Sequence, residues 1–226
     1  MIITDSHWMN ENPVIYCGTR GQQSITIIYH RTDMEENLHA GNYGGIQAGA
    51  AREFIDILAG ILHEIDELIA INPTMKEQYA NAVSLTNIFS GDPQRSAIPK
   101  AATAKIDIRY TDIAIPLKVE QILNHVKEVY GIDYVIEQNE EGFYNTPNQI
   151  FLGKMQTIIR VVTKREPCIR KYNGAYLSMR KMHHLKGTKY VLPFAQADEN
   201  NHAPNENISI KHISYGMDIV EDILTR

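Results

Sequence analysis

Apolar and polar residues alternate along Ser24-Ile25-Thr26-Ile27-Ile28-Tyr29-His30, placing Ile25, Ile27 and Tyr29 on one face, the two-residue period of a half-buried strand. The chain must therefore build a sheet here and cover one side of it. From Ile46 to about Ile71 the period changes to three and four. Phe54, Leu58, Ile61, Leu62, Ile65, Leu68 and Ile69 share a face, Arg52, Glu53, Asp56, His63, Glu64 and Glu67 lie opposite, and Asn72-Pro73 ends the helix. A second strand follows from Ala82 to Phe89, closed by Gly91-Asp92-Pro93. A third runs from Ile98-Pro99 to Tyr110, where Ile106, Ile108 and Tyr110 alternate with Lys105, Asp107 and Arg109. Val119, Ile122, Leu123, Val126 and Val129 mark a second helix ending at Gly131, and Tyr134 to Glu137 gives a fourth strand. Strand, helix, strand, strand, helix, strand is the order of a split ferredoxin-like unit, with two helices on one face of an antiparallel sheet. The fold class expected is α/β in the α+β sense, with this unit over residues 18–145.

The flanks read differently. Met1 to Thr4 is the stub of a buried strand running into Asp5, and Asn145-Thr146-Pro147-Asn148 is a linker. A helix is expected over Ile150 to Lys164, then a strand over Tyr190 to Ala195, a polar cluster from Asp198 to Glu206, and a last helix with Ile213, Met217, Val220, Ile223 and Leu224 on one face. With 226 residues, 43% hydrophobic and 22% charged, the chain can bury a core, and its formal charge of -5 gives no reason to expect a nucleic-acid partner. No apolar run approaches a membrane span, and the first residues lack the basic and apolar regions expected of a signal peptide. Cys17 and Cys168 belong to no metal-knuckle or disulfide pattern, so a reduced, cytoplasmic setting is expected.

Chemistry concentrates in a few places. Asn37-Leu38-His39-Ala40-Gly41-Asn42-Tyr43-Gly44-Gly45 sets a histidine among three glycines before a helix, where backbone can approach a ligand and an imidazole can point at it. It also reads as a plain strand-to-helix turn. Asp5, at a strand end, stands where ligands commonly bind and where turns are commonly capped. Arg109 on a polar strand face suits a bidentate grip on a carboxylate or an ion pair with Asp107. His202, beside Asp198, Glu199 and Glu206, suits a metal ligand held by carboxylates or a solvated loop residue. No nucleophile-elbow, P-loop or dinucleotide fingerprint occurs.

In order, these segments resemble the co-catalytic zinc exopeptidase and deacylase family of carnosine-type dipeptidases, carboxypeptidase G, aminoacylase and acetylornithine or succinyl-diaminopimelate deacylases. The resemblance rests on Asp5-Ser6-His7-Trp8, Gly18-Thr19-Arg20-Gly21, Leu38 to Gly45, Ile98-Pro99 with Asp107-Ile108-Arg109-Tyr110, and His202-Ala203-Pro204-Asn205-Glu206. It implies a ferredoxin-like lid and dimerisation domain (residues 18–145) inserted in a zinc-exopeptidase-type α/β catalytic domain, of which residues 1–17 and 146–226 are parts. It also implies two zinc ions, amide hydrolysis by metal-activated water, and a dipeptide or N-acyl amino acid substrate. Asp5 would bind one zinc and His202 the other, His39 would stabilise the oxyanion in a partner subunit's site, and Arg109 would hold the substrate carboxylate. Asn173-Gly174-Ala175-Tyr176 stands where the family has a Gly-Gly-Ser-like segment, making Gly174 a substrate contact. A homodimer through the lid is expected.

The family's His-x-Asp, bridging aspartate and Glu-Glu segments would precede Asp5, where this sequence has four residues. Each zinc would keep one protein ligand where a catalytic site needs about three, so no tight zinc site and no turnover by this chain alone are expected. The alternative reading is a non-catalytic dimerisation or ligand-binding module derived from the same family.

Overall fold

The computed structural model describes residues 2–4, 8–9, 11–70, 81–92, 94–173, 190–192, 200 and 203–225. In chain order the elements are β1 (Ile2–Ile3), β2 (Val14–Tyr16), β3 (Gly18–Thr19), β4 (Gly21–His30), β5 (Leu38–His39), α1 (Ala40–Tyr43) and α2 (Ala50–Ala70). There follow β6 (Ala82–Ser90), β7 (Ala97–Ile98), β8 (Ala101–Tyr110), α3 (Ile115–Tyr130), β9 (Asp133–Glu140) and β10 (Phe143–Tyr144). Last come α4 (Gln149–Thr163), β11 (Cys168–Arg170), β12 (Tyr190–Val191) and α5 (Ile210–Thr225). The chain divides into two compact units, residues 21–141 and residues 1–20 with 142–226.

In the 21–141 unit the alternation of β4 and β8 decides the architecture. Ile25, Ile27, Ile106 and Ile108 are fully buried on one side, and α2 and α3 close over them with Phe54, Leu58, Ile61, Ile65, Val119 and Leu123. The sheet runs β6-β8-β4-β9, antiparallel throughout, with Gly21 opposite Tyr110 and His30 opposite Ala101. The second and third strands of this sheet in chain order, β6 and β8, thus pair, and β9 returns beside β4, giving the ferredoxin-like order. The expected third strand is broken: Ala97–Ile98 leaves the main sheet to pair with Leu38–His39, because Pro99 has no N–H to continue a ladder. Val129, expected inside, is 56% exposed, while α3 buries Ile115, Val119, Leu123 and Val126.

In the other unit a small sheet of order β1-β12-β2-β11 lies against α4 and α5, with Ile15, Leu152, Met155, Ile159 and Tyr190 at its centre. Asn148 caps α4 by accepting the Phe151 N–H at 3.0 Å. A separate ribbon pairs β3 with β10, where a Cβ on Gly18 would meet the Phe143 carbonyl oxygen at 2.4 Å, so only glycine fits. The last helix corrects an expectation. α5 buries His212, Gly216 and Ile219, while Met217 and Leu224 are exposed, because the helix carries two apolar stripes and the one holding Gly216 turns inward. Asp5, Gly174 and His202 lie outside the described residues, as do residues 193–195 of the strand expected over Tyr190 to Ala195, of which Tyr190–Val191 form β12.

Candidate functional site

His39 closes β5 and caps the short helix α1. Its backbone is extended (φ -69, ψ 119), and its Nδ1 accepts the Gly41 N–H at 3.1 Å. In neutral imidazole one nitrogen accepts and the other carries the proton, so this bond assigns the proton to Nε2, which faces outward as a donor on an exposed residue. The glycines after it are required by the turn: a Cβ on Gly44 would come to 2.5 Å from the Ala40 carbonyl oxygen, and Gly45 has φ 82.

The loop is clamped on both sides. Leu38 and His39 pair with Ile98 and Ala97, the Ala40 N–H donates to Ser96 O at 3.2 Å, and the Lys100 N–H donates to the Asn37 side chain at 2.9 Å. Arg31, absent from the candidates drawn from sequence, ties the start of α2 to the same region. Its guanidinium donates to Asp33 through two bonds of 2.8 and 2.7 Å, to Glu53 at 2.6 Å and to the Ala48 carbonyl at 2.8 Å. Tyr29 adds a 2.7 Å bond to Glu53, and burial, then Glu53, pushes its phenol above the ordinary value. The signal was present in the charged run after His30, but such a run reads equally well as a solvated loop.

Arg109 lies on the sheet face away from the helices, its side chain 25% exposed. Its Nε donates to Asp107 Oδ1 at 2.6 Å, and Gln22 on the neighbouring strand donates to Asp107 Oδ2 at 2.5 Å. Asp107 therefore sets the fork in the plane of the pair, and the ion pair that the sequence allowed is present. Among the described residues the guanidinium bonds Asp107 alone, which leaves its outer edge able to take a planar anion.

The structure does not bring His39 and Arg109 together. His39 sits opposite Ala97, before β8 begins, and Arg109 is near the other end of β8. The strand between Ala101 and Arg109 alone spans roughly 26 Å at the usual rise, several times the length of a dipeptide. Among the described residues no three His, Cys, Asp or Glu side chains are grouped so as to hold a metal ion, and no helix is long and apolar enough to cross a membrane.

Comparison with known proteins gives a consistent result. The profile of the peptidase dimerisation domain matches residues 19–133. A succinyl-diaminopimelate desuccinylase of Ehrlichia ruminantium is 24% identical over 75% of this chain and 43% of its own length. A probable di- and tripeptidase of Saccharomyces cerevisiae is 23% identical over all of this chain and 30% of its own. The chain thus spans less than half the length of these curated relatives. Among solved structures, the dipeptidase Dug1p of Saccharomyces cerevisiae superposes with a TM-score of 0.77 at 16% identity, over 99% of this chain and 58% of that one. Human carnosine dipeptidase 1 gives 0.72 at 18% identity, over 98% and 57% respectively. The 21–141 unit, with its four-stranded antiparallel sheet and two covering helices, is the part that carries the profile match, and the chain belongs to the M20 peptidase dimerisation domain family.

Proposed function

We propose that this chain supplies the lid and dimerisation unit, with part of the catalytic domain, of a metallohydrolase that cleaves the amide bond of a dipeptide or an N-acyl amino acid. The observation that carries the reading is the separation of His39 from Arg109 along β8. One small substrate cannot touch both in a single chain, whereas a two-fold dimer can offer His39 of one subunit and Arg109 of the other to the same site. In that arrangement the Nε2–H of His39 donates to the oxyanion, and the outer edge of Arg109 holds the substrate carboxylate. Gly174 serves as a backbone contact. Two zinc ions would supply a polarised water; their assignment to Asp5 and His202 rests on the resemblance, and the described residues add no further ligand set.

The sheet edges support pairing of two copies through β6. Its nine residues include no charge, and Leu85, Ile88 and Phe89 are 43%, 49% and 55% exposed. The opposite edge, β9, is guarded by Asp133, Glu137 and Glu140. Sedimentation of the purified chain tests the reading: a dimer that becomes a monomer in Phe89→Lys supports it, and a monomeric parent overturns it. Hydrolysis of dipeptide and N-succinyl amino acid substrates with added zinc then separates the two family readings. A dimer without turnover favours the non-catalytic module for the isolated chain.

A further inference from the structure

We infer a second small-molecule site, for an anion carried on an aromatic ring, in the unit formed by residues 1–20 and 142–226. A cavity of about 430 Å³ opens there between the end of α4 and the start of α5, within the range that holds small organic ligands. One wall is aromatic. Trp8, 6% exposed, has its ring 4.4 Å from that of His212 and is stacked with Tyr215, the centroids 6.0 Å apart and the planes 14° apart.

The rim is cationic. Lys164, Arg165 and Lys211 line the cavity, and Glu11, the one acidic lining residue among the described residues, is engaged by Arg165 at 3.2 Å. Lys211 Nζ stands 5.4 Å from the Tyr215 ring centroid, so charge and ring surface meet at one place. The positive end of α5 starts at Ile210, beside the lining residues Ser209 and Lys211, and adds to the same field. This positive surplus sits on a chain of formal charge -5. Glu11 (φ 63) and Lys164 (φ 57), two of the four non-glycine residues with left-handed backbone among those described, both stand in this lining. A flat ring against the Trp8 and Tyr215 wall, with a phosphate or carboxylate reaching Lys164 and Lys211, satisfies both halves of the lining.

Trp8 is the chain's one tryptophan, so its fluorescence reports on this cavity directly. The full chain is titrated with phenyl phosphate and with benzoate, using phenol and sodium phosphate at matched ionic strength as controls. The expected result is a saturable change in Trp8 emission with at least one of the two aromatic anions, at concentrations about tenfold below those either control needs. Lys211→Gln and Lys164→Gln, each shown folded by circular dichroism, should each weaken that binding by about tenfold. Phenyl phosphate binding more tightly than benzoate assigns a phosphate ligand, and the reverse a carboxylate. No saturable change with either probe, phenol matching its charged analogue, or undiminished binding in both folded variants would overturn the site.

Discussion

The Nδ1 of His39 accepts the Gly41 N–H at 3.1 Å, and this bond decides which edge of the imidazole can donate to a ligand. A Cβ on Gly41 would come to 3.0 Å from His39 Cε1 and 3.2 Å from Nδ1, so Gly41→Ala must displace the ring or the amide. Long-range proton–nitrogen NMR on the parent should show the Nε2–H tautomer, and in Gly41→Ala a mixture. An Nδ1–H tautomer in the parent would remove the donor that the oxyanion role needs.

Arg31 joins the loop after β4 to the start of α2 through Asp33, Glu53 and the Ala48 carbonyl, with its own side chain 14% exposed. Arg31→Met leaves Glu53 and a backbone carbonyl without this donor, and should cost about 1–3 kcal/mol in chemical denaturation. Arg31→Lys should recover less than half of the loss, because an ammonium cannot reproduce the fork that grips Asp33. Full recovery of the parent's stability in Arg31→Lys would show that charge alone, and not fork geometry, matters at this junction.

Lys105 pairs with Glu137 across the sheet, and Thr26 Oγ1 donates to the same carboxylate at 2.5 Å. Lys105 first, then Thr26, holds the Glu137 carboxyl below its ordinary value. A group whose folded value is depressed stabilises the fold above its unfolded value and loses that contribution as pH falls through the folded value. Thermal melts of Glu137→Gln should therefore lie below the parent near neutrality and converge with it under acid, below about pH 4. A gap that persists at low pH would mean that the substitution acts through packing.

Gly18→Ala should disrupt the β3–β10 ribbon, since the new methyl would sit 2.4 Å from the Phe143 carbonyl oxygen and 3.2 Å from that of Lys171. Relief requires backbone movement on both sides. Amide exchange should show loss of protection confined to residues 17–19 and 143–145 if the ribbon opens alone, and a lowered melting temperature if it carries its unit with it.

Burial pushes the Cys17 thiol above its ordinary value, and Cys17 is 2% exposed, while Cys168 is half-buried. Alkylation of the folded chain at about pH 8 should modify Cys168 and spare Cys17, with both reacting after denaturation. Fast labelling of Cys17 in the native chain would show that the sheet around Ile15 opens readily.

Much of the 21–141 unit could be read from sequence because β4, β8, α2 and α3 each bury one face, and a one-sided environment writes its period into the residues. The other unit was harder to read. β2 is three residues long and buried throughout, so Val14-Ile15-Tyr16 has no polar partner positions to reveal a strand. α5 displays two apolar stripes, and periodicity cannot say which turns inward. In the site, the glycines around His39 were visible as composition, whereas the bond from Gly41 to Nδ1 and the four contacts of Arg31 depend on side-chain placement. The distance between His39 and Arg109 was also invisible, because motif order says nothing about where along a strand each motif falls.

One of the two inner strands of the β6-β8-β4-β9 sheet is made long before its neighbours. β4 ends at His30, while its partners β8 and β9 begin at Ala101 and Asp133. At synthesis rates of about 5–20 residues per second, Ile25, Ile27 and both edges of β4 wait several seconds for anything to pair with. In a cell the nascent chain therefore passes through an interval in which a strand destined to bury one whole face is open on both sides, and its yield depends on what shields that strand on the ribosome as well as on the stability of the finished fold.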